Sequence, residues 1–224
     1  MLFHIVDALV SLYIATFLCV AVHELGHFAV ARCVGVRPSA LVIGSGPLLW
    51  DRVGRDGVSY QVGWVPFGGH IRLGKAESDL DAIDGTEPHD GGSNFNLSKF
   101  VAIVAAGPSA NIAFAFGLMA LLHHLLHVDN VAAGSVGFGT ALELLTANVF
   151  LIYGVYSLVP FPEADGGLLV RSVISSVRSC PMDDVLPSAH VVRALRALNS
   201  WMSFAVDVYV TVLSLAITGL AFGA

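Results

Sequence analysis

LYIATFLCVAVHELGHFAVAR, residues 12–32, is apolar enough to cross a membrane, yet it carries His23, Glu24 and His27 near its centre. On insertion scales a carboxylate at mid-bilayer costs roughly 2.5–3.5 kcal/mol, so ionisable groups placed there mark a working site. At 3.6 residues per turn, His23 and His27 lie four apart on one face of a helix. They form an H-E-x-x-H signature: two imidazoles able to share a zinc ion, with Glu24 beside them to take a proton from water.

The rest of the chain supports a membrane setting. Of 224 residues 55% are hydrophobic and only 12% charged, against roughly 25% charged in soluble domains, and the mean hydropathy is +0.75. Four apolar stretches, about 5–31, 100–126, 141–160 and 200–222, approach or exceed the roughly 17–25 residues that a spanning helix needs. The first lacks a positively charged leader and its apolar run is too long for a secretory signal, so it reads as a mature span. The expected fold is an all-α polytopic membrane protein with four transmembrane helices.

All eleven Lys and Arg residues fall in two of the connections, seven between the first and second spans and four between the third and fourth. By the positive-inside rule both connections are cytoplasmic and both termini are outside. The three cysteines, Cys19, Cys33 and Cys180, form no CxxC pair, which speaks against a disulfide framework or a thiolate metal site. The net charge is −6 and no basic patch is interleaved with aromatics, so no nucleic-acid partner is expected.

Residues 39–76 read as a small β-hairpin or sheet on the cytoplasmic side: LLWDRV and VSYQVGWV flank the turn signal GRDG, and HIRL offers a third short strand. Trp50 and Trp64 suit a membrane interface. Residues 77–98 are acidic and Gly-rich, the composition of a mobile loop. VVRALRALNSW, residues 191–201, has the pattern of an amphipathic helix leading into the last span.

A catalytic zinc needs a third protein ligand and leaves its fourth position for water. The third span ends in SLVPFPEADGG, residues 157–167. Pro160 and Pro162 break the helix, and Asp165 offers an oxygen where freed backbone lines a cavity. Glu24 stands eight residues before Arg32, about 12 Å from the cytoplasmic end at 1.5 Å per residue, and Asp165 stands six before Arg171, so the ligands meet at one depth. In the second span AAGPSAN, residues 105–111, places Gly107 and Pro108 just before Asn111. That amide is positioned to bond a substrate carbonyl or the developing oxyanion. His123, His124 and His127 sit near the outer end of the same span and read as interfacial histidines or a metal-entry point.

HELGH in the first span, AAGPSAN in the second and PFPEADGG closing the third resemble the site-2 protease family of intramembrane zinc metalloproteases. Within it the chain is most similar to the bacterial regulator-of-sigma-E protease branch, through WVPFGGHIRLG and SNFNLSKFVAIVAAGPSAN. The resemblance touches roughly half the chain. It implies one zinc ion per chain on His23, His27 and Asp165, with Glu24 as catalytic acid/base and Asn111 assisting. Ser157, Gly107, Pro108, Gly68 and Gly69 are the expected substrate-binding positions. The implied substrates are transmembrane helices of single-span proteins, anti-sigma-factor-like or signal-peptide remnants, cut in the bacterial cytoplasmic membrane by a single domain over residues 1–224.

Two features depart from the family pattern. Residues 127–140 are too short for the PDZ domains that branch carries between its second and third spans, and Ser157 stands where the family has an asparagine. Two other functions fit the same residues. A divalent-metal transporter would use the inner cluster as one of a series of sites through the membrane. A catalytically silent adaptor would bind helices without cutting them.

Overall fold

A computed structural model describes residues 2–73, 97–126, 138–162, 164–178, 185 and 188–222. Five helices and a small sheet follow in the order α1 (Leu2–Cys33), β1 (Pro38–Val53), β2 (Ser59–Leu73), α2 (Leu97–Leu126), α3 (Phe138–Ser157), α4 (Asp165–Arg178) and α5 (Ala189–Phe222). Helices therefore occupy all four stretches expected to span. Two of them, Leu9–Cys33 and Leu97–Leu121, are long and apolar enough to cross a membrane, and Leu145–Ser157 is a shorter apolar helix. The expected mobile loop falls almost wholly outside the described residues, as does His127.

Small residues set how closely the helices approach. A β-carbon at Gly26 would come within 2.7 Å of Ala110 Cβ and 2.8 Å of the Ala106 carbonyl, so α1 and α2 touch backbone to backbone. One at Gly154 would meet Ile112, Asn111 and the Pro108 carbonyl, which brings α3 onto the other side of α2. Association without a hydrophobic driving force depends on such close packing. Ala15, Cys19, Ala115, Leu145, Val149, Phe150 and Val210 then form one core shared by α1, α2, α3 and α5. Helix α1 ends in a Schellman turn, with Val36 N–H donating to Ala31 O and Gly35 N–H to Arg32 O. Gly35 adopts φ +85° there, which a glycine takes without penalty.

The sheet is more folded than its two strands suggest. Ala40 pairs with both Arg72 and Ser59, and Leu41 with both Ile71 and Tyr60, while Leu48–Val53 pairs with residues 59–63. Four runs thus lie side by side in the order 48–53, 59–63, 40–43 and 69–73. The HIRL segment is the last part of β2 and forms a run of its own against 40–43; Gly68, at φ +70°, stands between it and the 59–63 run. The far edge of the sheet reaches Tyr13, whose hydroxyl donates to Trp64 O at 2.6 Å. At the other end Arg32 pairs with Asp56 at 2.8 Å. Tyr13 and Arg32 are nineteen residues apart, about 28 Å along a helix, so the sheet lies lengthwise against α1.

Asp56 closes the 54–57 turn. The Tyr60 hydroxyl, the Val58 amide and the Arg32 guanidinium all donate to it, holding its carboxyl below the usual carboxylate range. A carboxyl whose pKa falls on folding contributes stability above its ordinary value, about 3.9, and loses it as pH drops through the lower folded value. Asp56→Asn is therefore expected to speed exchange of the Val58 amide at neutral pH, relative to the intrinsic rate. The wild type should reach that rate only below about pH 4.

Candidate metal centre

The centre is built where α1, α2 and the start of α4 meet. His23 and His27 project from one face of α1, as their spacing requires. Asp165 arrives from outside the helical pair. After Ser157 the chain turns through Val159 N–H to Tyr156 O and Phe161 N–H to Val159 O. Ala164 N–H then donates to Phe161 O, and Leu168 N–H to Ala164 O. Pro160 and Pro162 have no N–H to continue α3. Gly166 and Gly167 lie directly on the carbonyls of Leu158 and Phe161, where a β-carbon would overlap them. Asp165 is thus the first residue of a separate helix, α4, rather than the tail of the third span, and α4 is an element that sequence reading missed.

His23 Nε2 stands 3.0 Å from Asp165 Oδ2, and His27 Nε2 stands 3.6 Å from Asp165 Oδ1. The two Nε2 atoms are 3.1 Å apart. Four tetrahedral ligands at zinc distances of about 2.05 Å are separated by about 3.3 Å, so these donors have the spacing of a shared zinc shell. The protonation pattern agrees. His27 Nδ1 lies 2.7 Å from the carbonyl of Ile103, which can only accept, so the proton sits on Nδ1 and the Nε2 lone pair faces the convergence point. Among the described residues this is the one group of three such side chains able to hold a metal ion.

Glu24 is buried, 6% exposed, and the backbone of Gly69 lies against it: a β-carbon there would come within 2.7 Å of Glu24 Cγ and Oε1 and of Val42 O. Gly69 is thus where the sheet reaches the centre, while its neighbour Gly68, at φ +70°, is exposed. Gly107 and Pro108 are buried on α2. A β-carbon at Gly107 would overlap the His27 imidazole, so this glycine is the seat of the ring. Ser157 Oγ donates to Gly154 O at 3.0 Å, closing the end of α3. Asn111 is 2% exposed, with Nδ2 3.3 Å from Cys19 Sγ and 3.4 Å from His23 Nδ1. It therefore points at a histidine, not into open space. The Ile103 carbonyl and Cys19 escaped sequence reading. Cys19, four residues before His23, was recoverable from the helical period; a backbone carbonyl leaves no trace in a sequence.

A family model described as peptidase family M50 matches residues 11–150. The chain is 36% identical over 107 residues to the Regulator of sigma-E protease RseP of Escherichia coli strain K12, covering 48% of this chain and 23% of that one. It is 36% identical over 108 residues to Protease RseP of Yersinia pestis, 48% of this chain and 24% of the relative. A Vibrio cholerae protein named provisionally as a zinc metalloprotease is 38% identical over 106 residues, 47% and 23% of the two chains. The chain spans about a quarter of the length of these relatives.

Proposed function

Since this chain belongs to peptidase family M50, we propose that it is an intramembrane zinc endopeptidase that hydrolyses peptide bonds within the transmembrane segments of single-span proteins. The observation that carries this reading is the convergence of the His23, His27 and Asp165 donor atoms beside a buried Glu24. In this reading the three side chains hold one zinc ion, and residues 1–224 are a single domain whose α1, α2, α3 and α5 span the bilayer. The two basic connections face the cytoplasm, and the bacterial sources of the relatives support the cytoplasmic membrane as the location. The name of one relative, a regulator of sigma-E protease, fits anti-sigma-factor-like substrates, and signal-peptide remnants are the second class in this reading.

When bound, zinc supplies Lewis-acid polarisation of the scissile carbonyl and acidifies water. The Glu24 carboxylate takes a proton from the attacking water as the new C–O bond forms. It returns that proton to the amide nitrogen as the C–N bond breaks, so an acid and an amine leave. Ile103 O fixes which His27 nitrogen offers its lone pair. The Gly69 backbone, packed on Glu24, restricts where the carboxylate swings.

A helical substrate hides its carbonyls in i to i−4 bonds and must open first. The β2 run that begins at Gly69 is placed to hold an opened segment as an added strand beside Glu24. Phe67→Asp, at an exposed position beside Gly68, is expected to lower cleavage without changing zinc content. Unchanged cleavage would remove strand addition.

The deciding experiment reconstitutes the purified chain in vesicles with tagged single-span substrates and compares it with Asp165→Ala. Chelation by phenanthroline should stop cleavage and added Zn2+ restore it, with Asp165→Ala losing both metal and cleavage. Cleavage persisting in the zinc-free variant would overturn the reading. Zinc accumulating inside vesicles without cleavage would favour transport, and substrate capture without cleavage an adaptor.

A further inference from the structure

The two histidines of the centre are held differently. His27 gives its Nδ1 proton to a fixed carbonyl. His23 Nδ1 instead faces the side-chain amide of Asn111, with Nδ2 at 3.4 Å. In that arrangement Nδ2 donates to His23 Nδ1 and to Cys19 Sγ, and Asn111 Oδ1, buried, has no hydrogen-bond partner. It also places the His23 proton on Nε2, directed at Asp165 Oδ2 at 3.0 Å. That tautomer serves the carboxylate and leaves no Nε2 lone pair for a metal.

A half-turn of the Asn111 amide about Cβ–Cγ exchanges oxygen and nitrogen with no other movement. The oxygen then faces both His23 Nδ1 and Cys19 Sγ and accepts N–H and S–H, while Nδ2 takes over the position that has no partner. The His23 proton moves to Nδ1, and its Nε2 matches that of His27. Neither a carboxylate nor an aliphatic side chain serves both tautomers. Asn111 is 2% exposed, and the Gly154 backbone of α3 packs at its Cβ.

We propose that Asn111 is a positioning residue for His23: its carboxamide oxygen accepts the Nδ1 proton when Nε2 is a metal ligand, and the amide turns to donate when Nε2 carries the proton. This rests on His23, His27 and Asp165 being a metal centre. Partners that orient a ligating histidine are typically worth 10–100-fold in metal affinity.

The test titrates the purified full chain with Co2+, follows its ligand-field absorption and displaces it with Zn2+, for wild type, His23→Ala, Asn111→Leu and Asn111→Asp. Wild type should bind one ion and His23→Ala lose it. Asn111→Leu should weaken binding about 10–100-fold, while Asn111→Asp, which keeps an acceptor, stays close to wild type with the same spectrum. Asn111→Leu binding as tightly as wild type would overturn the inference and leave the metal centre standing. Failure of wild type to bind Co2+ would instead overturn the metal centre itself. Should Asn111→Leu not fold, Asn111→Asp decides: retained affinity and spectrum support the role, and their loss overturns it.

Discussion

Glu24→Gln is expected to lower cleavage of a transmembrane substrate by about 10²–10⁴-fold, the range a positioned general acid–base contributes, and to leave one zinc per chain in place. The two readouts separate because Glu24 is no part of the donor triangle: the atoms that converge belong to His23, His27 and Asp165. Glutamine keeps the shape that fits against Gly69, where even a β-carbon would collide with the glutamate side chain, so the fold has no reason to relax. What it loses is a site that takes a proton from water and releases it to the leaving nitrogen. Zinc content is read by mass spectrometry and cleavage by loss of the tagged substrate. Loss of metal together with cleavage would make Glu24 structural; full cleavage would remove it from the mechanism.

Gly107→Ala is expected to weaken metal binding through packing alone. The added β-carbon falls on the His27 ring, which is pinned by its 2.7 Å bond to Ile103 O on the same helix. Either α2 withdraws from α1, which the Gly26 contact with Ala106 and Ala110 resists, or the imidazole leaves its place. Overpacking of this kind costs about 1–3 kcal/mol, and the expected loss of Zn2+ affinity is at least about 100-fold, the upper end of the range for disturbing a ligand's support. Gly117→Ala on the same helix is the control. Nothing lies within 4 Å of a β-carbon there, so helix propensity, worth about 1 kcal/mol in favour of alanine, should leave metal affinity unchanged and thermal stability equal or higher. Equal metal affinity in both variants would show that the ring does not need its seat.

Much of this molecule follows from local pattern. A long apolar run must be helical where water is scarce, because only a helix satisfies its own backbone, and a four-residue spacing on that helix aligns His23 and His27. The GRDG turn is equally local, since Asp56 and Gly57 meet a tight bend by their own chemistry. Other features depend on what arrives from elsewhere in the chain. The double register of the sheet arises because β1 finds two different lengths of β2, a choice no alternation of side chains encodes. Asn111 reads as a substrate-facing amide when considered alone; the approach of α3 at Gly154 buries it against His23.

By itself the sequence determined the periodicities: the helical stretches, the turn, and two histidines on one face with a glutamate beside them. Asp165, far along the chain and beyond the matched residues 11–150, was already the third ligand that the sequence offered; the tertiary structure decided that it reaches His23 and His27 from the start of a separate helix. It also decided that a carbonyl of α2 sets the His27 tautomer and that two glycines are seats for the side chains of α1. The physical reason is one of range. Spacing along a helix constrains neighbours within a turn or two. The meeting of donors from separate elements depends on how closely their backbones pack, and that is set by atoms absent from the motif.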